Sequence, residues 1–462
     1  VDPIAGPTGF NIYLVGALPF MLALSVMLYY RRKERRERLA TFSCSDKTFR
    51  VVVCIAVLVS TGGFWLLEYN KPVETLWDAY YARALNMVTY GVFGYGNEPT
   101  AFFPPGYSML LLPSVVVLGH SKWAIFGTNM TLLLVAVLGF RWCLRSMLLS
   151  THLANILSLF LLLYPTRFFS TYIPLSDIPF SLFALGAFAS MLLVIMKKGG
   201  TAAVVSAALF GGTAALIRPN GLFLFIPIAI GIVYASSAGT RLQQCAILSG
   251  VFLTVLLPWT VRNVNLYGTL VPVSTNGGYN LLAGNNPTRS IYGGYYPDVL
   301  LQRSGQPEWN EAQRDDFWLR AGIAEIVHDP PGFALLGVRK IIRTFSSDTH
   351  SLGALRVHTN VGQLPGWFLA FLYALNNFLY YVFGLSLLAT IWRRWNEYDV
   401  VRLIFILTSV IVAGMVFVLF GAPKYKEPLS TIALAVIGVY LSTLPYCRSD
   451  HYSKSSFTRS PS

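Results

Sequence analysis

Apolar runs of roughly 20 residues, the length a helix needs to cross a bilayer, recur from one end of this chain to the other. Lipid offers a bare backbone no hydrogen-bond partner, so such runs must close their own bonds as helices. The composition agrees. Of 462 residues, 54% are hydrophobic and 12% charged, against about 25% charged in a soluble domain. The chain is read as an all-α polytopic membrane protein with one sizeable non-membrane insertion.

The formal charge of +14 is placed as anchors for a membrane protein, not as a nucleic-acid footprint. Arg31–Arg38 follows the first apolar run (Phe10–Tyr30), and Lys197-Lys198, Arg241, Arg393-Arg394 and the tail at 446–462 also abut apolar runs. Such clusters mark the cytoplasmic side. The first run has no basic segment before it, which is the reverse of a signal peptide. It reads as an anchor with its N-terminus outside. The five cysteines lie in or beside apolar runs without a CxxC pair, so neither a disulfide framework nor a zinc site is indicated.

With Arg31–Arg38 inside, Val51–Leu67 travels outward and Lys71–Gly106 becomes an external loop carrying Asp78. With Lys197-Lys198 inside, Ile178–Met196 travels inward and Asp177 opens it on the same external face. Phe103–Gly119, Trp123–Phe140 and Leu153–Phe169 lie between, and Arg141 and Arg145 make the second of these run inward. Phe103–Gly119, short and opened by Pro104-Pro105, is then expected to be partial or re-entrant. Ala202–Ile217 and Leu222–Tyr234 form a pair around Arg218-Pro219-Asn220, and Ala246–Trp259 leads out to an external insertion over about 262–365. Glu311–Val327 is its best helix, and Phe333–Phe345 is expected to lie amphipathically at the headgroups with Arg339, Lys340 and Arg343. Trp367–Trp392 returns inward, Leu403–Phe420 goes out again to a turn at Gly421–Pro428, and a final span brings the tail in. The total is about eleven to thirteen helices, in one membrane domain over 1–445 with a cytoplasmic tail at 446–462.

This layout puts the unusual polar segments on one face: Asp78, Asp177, Arg218, the insertion after Arg262, and Lys424-Tyr425-Lys426. Ionisable residues at a membrane boundary are rare unless solvated or functional. Arg contacts phosphate in bidentate fashion, Lys as a point charge, and a carboxylate can take a proton from an attacking hydroxyl. The combination suits an anionic lipid-phosphate substrate and a base.

The segments also resemble a family. Trp77-Asp78-Ala79-Tyr80-Tyr81, Phe103-Pro104-Pro105-Gly106-Tyr107 and Leu175-Ser176-Asp177-Ile178-Pro179-Phe180 are similar to successive signatures of GT-C glycosyltransferases. Within that superfamily they look most like the branch of protein O-mannosyltransferases and the lipid A aminoarabinose transferase. Ile217–Gly221, Pro258–Asn263, Ser274–Asn280, Gly284–Pro287 and Pro423–Pro428 extend the likeness over most of residues 50–445. The resemblance implies a GT-C fold whose external loops form the active site. It implies transfer of a sugar from a polyprenyl-phosphate donor, with inversion, at the non-cytoplasmic face of a plasma (inner) membrane. Asp78 matches the aspartate that acts as base, and Asp177 the second-loop aspartate. Lys424 and Tyr425 match the basic segment of the last external loop, which would bind carrier phosphate, and Arg262 and Arg83 are further candidates for it. Ala79 departs from the pattern, since many relatives carry a second acid there; Asp78 is left to work alone. With no dense acid cluster, neither a metal nor another cofactor is expected. The acceptor is left open among protein, lipid A, wall polymer and lipid-linked glycan.

Plainer roles stand beside these. Ser176-Asp177 before Ile178-Pro179 is a good helix cap, Lys424 and Lys426 suit interfacial anchoring, and Arg218 suits the closing of a tight turn. Arg83 suits pairing with a nearby acid. Asn276-Gly277-Gly278 and Gly284-Asn285-Asn286-Pro287 read first as turns. A transporter or flippase of a lipid-linked or anionic solute is the alternative function. Uncharged spans with charge gathered at one boundary favour the enzyme over it.

Overall fold

The computed structural model describes residues 18–29, 44–68, 79–147, 149–286, 288, 308–348, 352–355, 363–393 and 399–443. Asp78, the Arg31–Arg38 cluster and the tail at 446–462 lie outside the described residues. The protein is an all-α polytopic membrane protein. Among the described residues, seven helices are long and apolar enough to cross a bilayer: Asp46–Glu68, Lys122–Ser146, Asp177–Ile195, Gly200–Ile217, Arg241–Tyr267, Gly366–Ala389 and Val400–Val418. Three shorter apolar helices accompany them, Gly106–Leu118, Thr151–Leu163 and Gly221–Ala235. A closing helix, Glu427–Thr443, packs against Asp177–Ile195. Large apolar side chains stand on the outside, among them Leu58, Val117 and Leu242, at 72%, 80% and 83% exposure. An outer surface of that kind belongs in lipid, not water.

Asp177–Ile195 is the axis of the bundle. Its apolar window is 78% buried, against 22% for Asp46–Glu68 and Arg241–Tyr267. It pairs with Gly200–Ile217 through a tight reversal at Lys197–Gly200, where Lys197 and Gly200 take φ of 56° and 48°. Small residues bring the two backbones together: Ala203, Ala207, Ala214 and Ala215 are buried, and Gly186 faces the Phe210 ring. Lipid-embedded helices associate through such close packing, because burial in lipid supplies no hydrophobic drive between them. The hairpin returns residue 217 to the end at which Asp177 begins.

Gly106–Leu118 spans 13 residues, about 20 Å at the helical rise, which is short of a crossing. Ser108 Oγ donates to Tyr80 O at 2.8 Å, and at the far end the Tyr81 hydroxyl reaches Gly119 O and Ser121 O at 3.4 and 3.1 Å. Both ends are thus tied to neighbouring residues of one helix, Ala79–Tyr90. Asp46–Glu68 and Lys122–Ser146 run antiparallel, pinned by Lys122–Glu68 at one end and by Arg141–Asp46 at the other.

Several boundaries differ from the sequence reading. Leu153–Phe169 divides at Tyr164 into Thr151–Leu163 and a short helix, Pro165–Ser170, because Pro165 takes the first-turn position of a new helix. The helix expected to end at Trp259 runs on through Pro258 and Arg262 to Tyr267, stopping at Gly268 with φ of 67°. Arg262 therefore sits on a helix and not in the loop. In the insertion, Glu311–His328 opens on a capping box between Asn310 and Gln313. The next helix, Pro330–Ser346, turns Lys340 inward, while apolar Leu335, Val338 and Ile342 face out. Lys340 is thus not a headgroup contact; it donates to Asn285 Oδ1 at 2.9 Å. Asn276-Gly277-Gly278 and Gly284-Asn285-Asn286 are the two ends of a helix, Gly277–Gly284, and not free turns.

Candidate functional site

Asp177 is the first residue of its helix and is 4% exposed. Its Oδ1 accepts a hydrogen bond from Arg218 Nη1, the residue that ends the partner helix. Gly221 makes the Arg218-Pro219-Asn220 corner tight enough for this, since a Cβ there would meet Ala215 N at 2.4 Å. Ser176 does not cap the helix with its side chain. Its hydroxyl goes to Tyr80 Oη, at 3.1 Å, and so joins the Asp177 turn to the helix that starts one residue after Asp78.

The last external segment arrives at the same place. Pro423–Lys426 forms a single 3-10 turn. The Arg218 guanidinium lies 5.5 Å from the Tyr425 ring centroid, and Lys424 Nζ lies 5.5 Å from the same centroid. Tyr425 thus has two cations on its ring, an arrangement its quadrupole favours. Asp177, Lys424 and Tyr425 come together, and Arg218, read from sequence as a turn former, is the residue that connects them. The pairing was concealed because an Arg-Pro-Asn corner already has a sufficient local explanation.

Arg83 is buried; its guanidinium lies 3.4 Å from the Tyr95 ring centroid and 5.7 Å from that of Phe103. Phe103 in turn packs edge-on to Tyr80 at 5.7 Å. Arg83 therefore borders the cluster through aromatic rings, and the nearest acids in sequence, Glu74 and Asp78, lie outside the described residues. Arg262 is held elsewhere. It donates to Phe93 O at 3.1 Å and to Asn263 Oδ1 at 3.0 Å, and stacks on Trp259 at 4.3 Å. These contacts tie it to the loop after Tyr90, away from the Asp177–Arg218 pair.

Beneath the cluster lies a buried ionic network that sequence reasoning missed. Arg167 Nη2 is 3.5 Å from Glu427 Oε2, and Lys426 Nζ is 3.7 Å from Asp348 Oδ1, all four side chains being at most 3% exposed. Tyr164 donates to Asp348 Oδ2, and Lys426 also reaches Thr344 O at 3.2 Å. Lys426 is therefore no interfacial anchor, and burial pushes its pKa below the ordinary lysine value despite Asp348 and Glu427. Arg167 and Glu427 are 260 residues apart, so no local pattern could have paired them.

The arrangement offers a carboxylate already neutralised by Arg218, a lysine on the outer side of a tyrosine ring, and a hydroxyl-bearing helix start beside them. It can hold an anionic group against Arg218 and Lys424 while keeping Asp177 oriented.

No family model and no curated protein matches the sequence. Among solved structures, AglB from Archaeoglobus fulgidus, an archaeal oligosaccharyltransferase in complex with an inhibitory peptide and a dolichol-phosphate, is similar over 86% of this chain at 12% identity and a TM-score of 0.42. The A. fulgidus oligosaccharyltransferase with zinc and sulfate gives 85%, 16% and 0.47. ArnT from Cupriavidus metallidurans bound to undecaprenyl phosphate gives 85%, 15% and 0.38, and 75% of its own length is covered. The chain spans about half the length of the oligosaccharyltransferases, 50% and 49%.

Proposed function

We propose that this protein is an inverting GT-C-type glycosyltransferase that moves a sugar from a polyprenyl-phosphate carrier to an acceptor at the non-cytoplasmic face of a plasma membrane. One observation carries the reading. The second-loop acid Asp177, the cation Arg218 and the last-loop Lys424-Tyr425 converge, with the helix that follows Asp78 in hydrogen-bond contact through Tyr80.

In this reading the Asp78 carboxylate takes the proton of an acceptor hydroxyl as its oxygen attacks the anomeric carbon. The bond from that carbon to the phosphate oxygen breaks, and polyprenyl phosphate leaves with the electron pair. Its charge needs neutralisation more than protonation; Lys424 and Arg218 supply it, with Tyr425 as a platform between them. Asp177 holds Arg218 in place. Arg83 contributes from behind its aromatic wall, and Arg262 fixes the following loop instead of touching phosphate.

The test is transfer by the purified protein in liposomes containing polyprenyl-phosphate sugars, followed by mass spectrometry of the lipid and of added acceptors. Asp78→Asn should keep the wild-type melting temperature and lose transfer; near-full activity in that variant would remove the proposed base. The buried Arg167–Glu427 and Lys426–Asp348 pairs favour a transporter. Counterflow of intact lipid-linked substrate without covalent product would establish that reading.

A further inference from the structure

A separate cavity of about 400 Å³ opens beside the small hairpin Gly94–Tyr95 and Glu98–Pro99. It is large enough for a small ligand, sites for which run from about 300 Å³ upward. Two kinds of wall meet in it. Tyr95, Phe102 and Trp318 give aromatic surface, while Glu98 and Arg314 give one charge of each sign.

Glu311 also lines the cavity but is engaged by its own neighbours. It accepts from Thr100 Oγ1, Ala101 N at 2.8 Å, Tyr267 Oη at 2.9 Å and Thr275 Oγ1 at 3.1 Å. With three donors on Oε2 and one on Oε1, Glu311 is held in place by its neighbours and builds the floor. Arg314 is in the opposite condition: its Nε is buried with no hydrogen-bond partner among the described residues. A buried donor left unmade is unfavourable, and a bound acceptor oxygen would satisfy it. Glu98, exposed on the hairpin, can accept from hydroxyls or an ammonium.

The cavity is connected to the candidate site by aromatic rings. Phe102 lines it and packs 5.0 Å from Phe103, which faces Tyr80; Tyr95 lines it and carries Arg83 on its ring. Three rings in succession, Phe102, Phe103 and Tyr80, therefore link its wall to the Ser176–Asp177 turn.

We propose that this cavity binds a pyranose unit of the acceptor, distal to the one that reacts, and that the acceptor is a neutral or amino-sugar glycan. A ring with an apolar face and equatorial hydroxyls matches aromatic walls with one donor and one acceptor between them. A uronic acid fits less well, because Glu98 and Glu311 both line the site. The assignment rests on the glycosyltransferase reading for the word acceptor, but not for the binding itself.

The test is saturation-transfer NMR on the full chain in detergent, without donor, using methyl α-mannopyranoside, methyl β-glucosaminide and methyl β-glucuronide. The first two should take saturation and the third little. Arg314→Gln and Tyr95→Ala should each weaken the signal by about tenfold, the loss of one charge-assisted bond or one ring platform. Equal signals in wild type and both variants, no pyranoside signal at all, or displacement of the sugars by a Ser/Thr hexapeptide would overturn the proposal. Release of sugar from the lipid donor, measured on the same preparation, reports on the transferase reading separately. Turnover without pyranoside binding sinks only the subsite, and binding without turnover sinks only the transferase.

Discussion

Asp177 and Arg218, forty-one residues apart, are joined by a hydrogen bond between the first residue of one buried helix and the residue that ends its antiparallel partner. The Lys197–Gly200 reversal and the small residues between the two helices fix their register, so the carboxylate and the guanidinium are brought together by the backbone before any side chain is considered. Removing one partner leaves the other charged and largely desolvated.

Arg218→Met should therefore lower stability by about 3 kcal/mol, in the range for breaking a buried pair. Asp177→Asn with Arg218→Met should recover most of that loss, because no charge is stranded. Transfer should stay abolished in both proteins, since the phosphate-side cation is missing from each. Thermal unfolding followed by the fluorescence of the tryptophans, with transfer assayed in parallel, separates the two effects. An active double variant would make the pair purely structural.

Lys424 and Lys426 should behave as opposites although one residue separates them. Lys424 is half-buried with its ammonium near the Tyr425 ring, whereas Lys426 is buried and bonded to Thr344 O, Ser347 O and Asp348. Lys424→Met should raise the KM for lipid donor about tenfold, one charge-assisted contact, with little change in melting temperature. Lys426→Met should lower the melting temperature sharply and leave donor KM unchanged in whatever protein remains folded. Reversed outcomes would exchange their roles.

The sequence displayed the membrane class and the meeting of the second-loop and last-loop segments because charge clusters beside apolar runs orient helices without any knowledge of packing. The ends of Asp177–Ile195 and Gly200–Ile217 were legible for that reason. Arg262 was misplaced because Pro258 looked like a stop, whereas a helix packed in a membrane bundle tolerates an interior proline. The Arg167–Glu427 and Lys426–Asp348 pairs were illegible because each joins segments that only the folded bundle brings together. Gly278 and Gly284 looked like turn glycines, and the actual reason for them is contact: Cβ atoms there would lie 2.0 Å from Asp315 O and Leu419 O.

Asp315 gives a pH-dependent signature. Its Oδ1 accepts from Gly278 N at 2.7 Å and Tyr279 N at 3.3 Å. Burial raises its pKa above the ordinary aspartate value, and the backbone bonds offset this only in part. A carboxyl with a raised folded-state pKa contributes stability that is complete below the unfolded value and is lost as pH rises through the folded one. The melting temperature of wild type minus that of Asp315→Asn should therefore be largest in acid, near the unfolded value, and fall as pH rises toward neutrality. A difference that grows over that interval would contradict the burial of this group.

Gly278→Ala tests whether the Gly277–Gly284 helix is held rigidly against Glu311–His328. The added methyl would meet backbone, Asp315 O at 2.0 Å and Leu319 N at 2.5 Å, so no side chain can swing away to admit it. The helices must separate, which for an overpacked contact costs about 1–3 kcal/mol. Gly277→Ala is the control, since its nearest neighbour is Asp315 Oδ2 at 3.7 Å, an ordinary contact. Gly278→Ala should lower the melting temperature and increase amide hydrogen exchange across 277–284, and Gly277→Ala should do neither. Asp315 moves with its own helix, so the same separation should lengthen its bonds to Gly278 and Tyr279 and flatten the pH dependence argued above. Equal behaviour of the two alanine variants would show that this contact is loose.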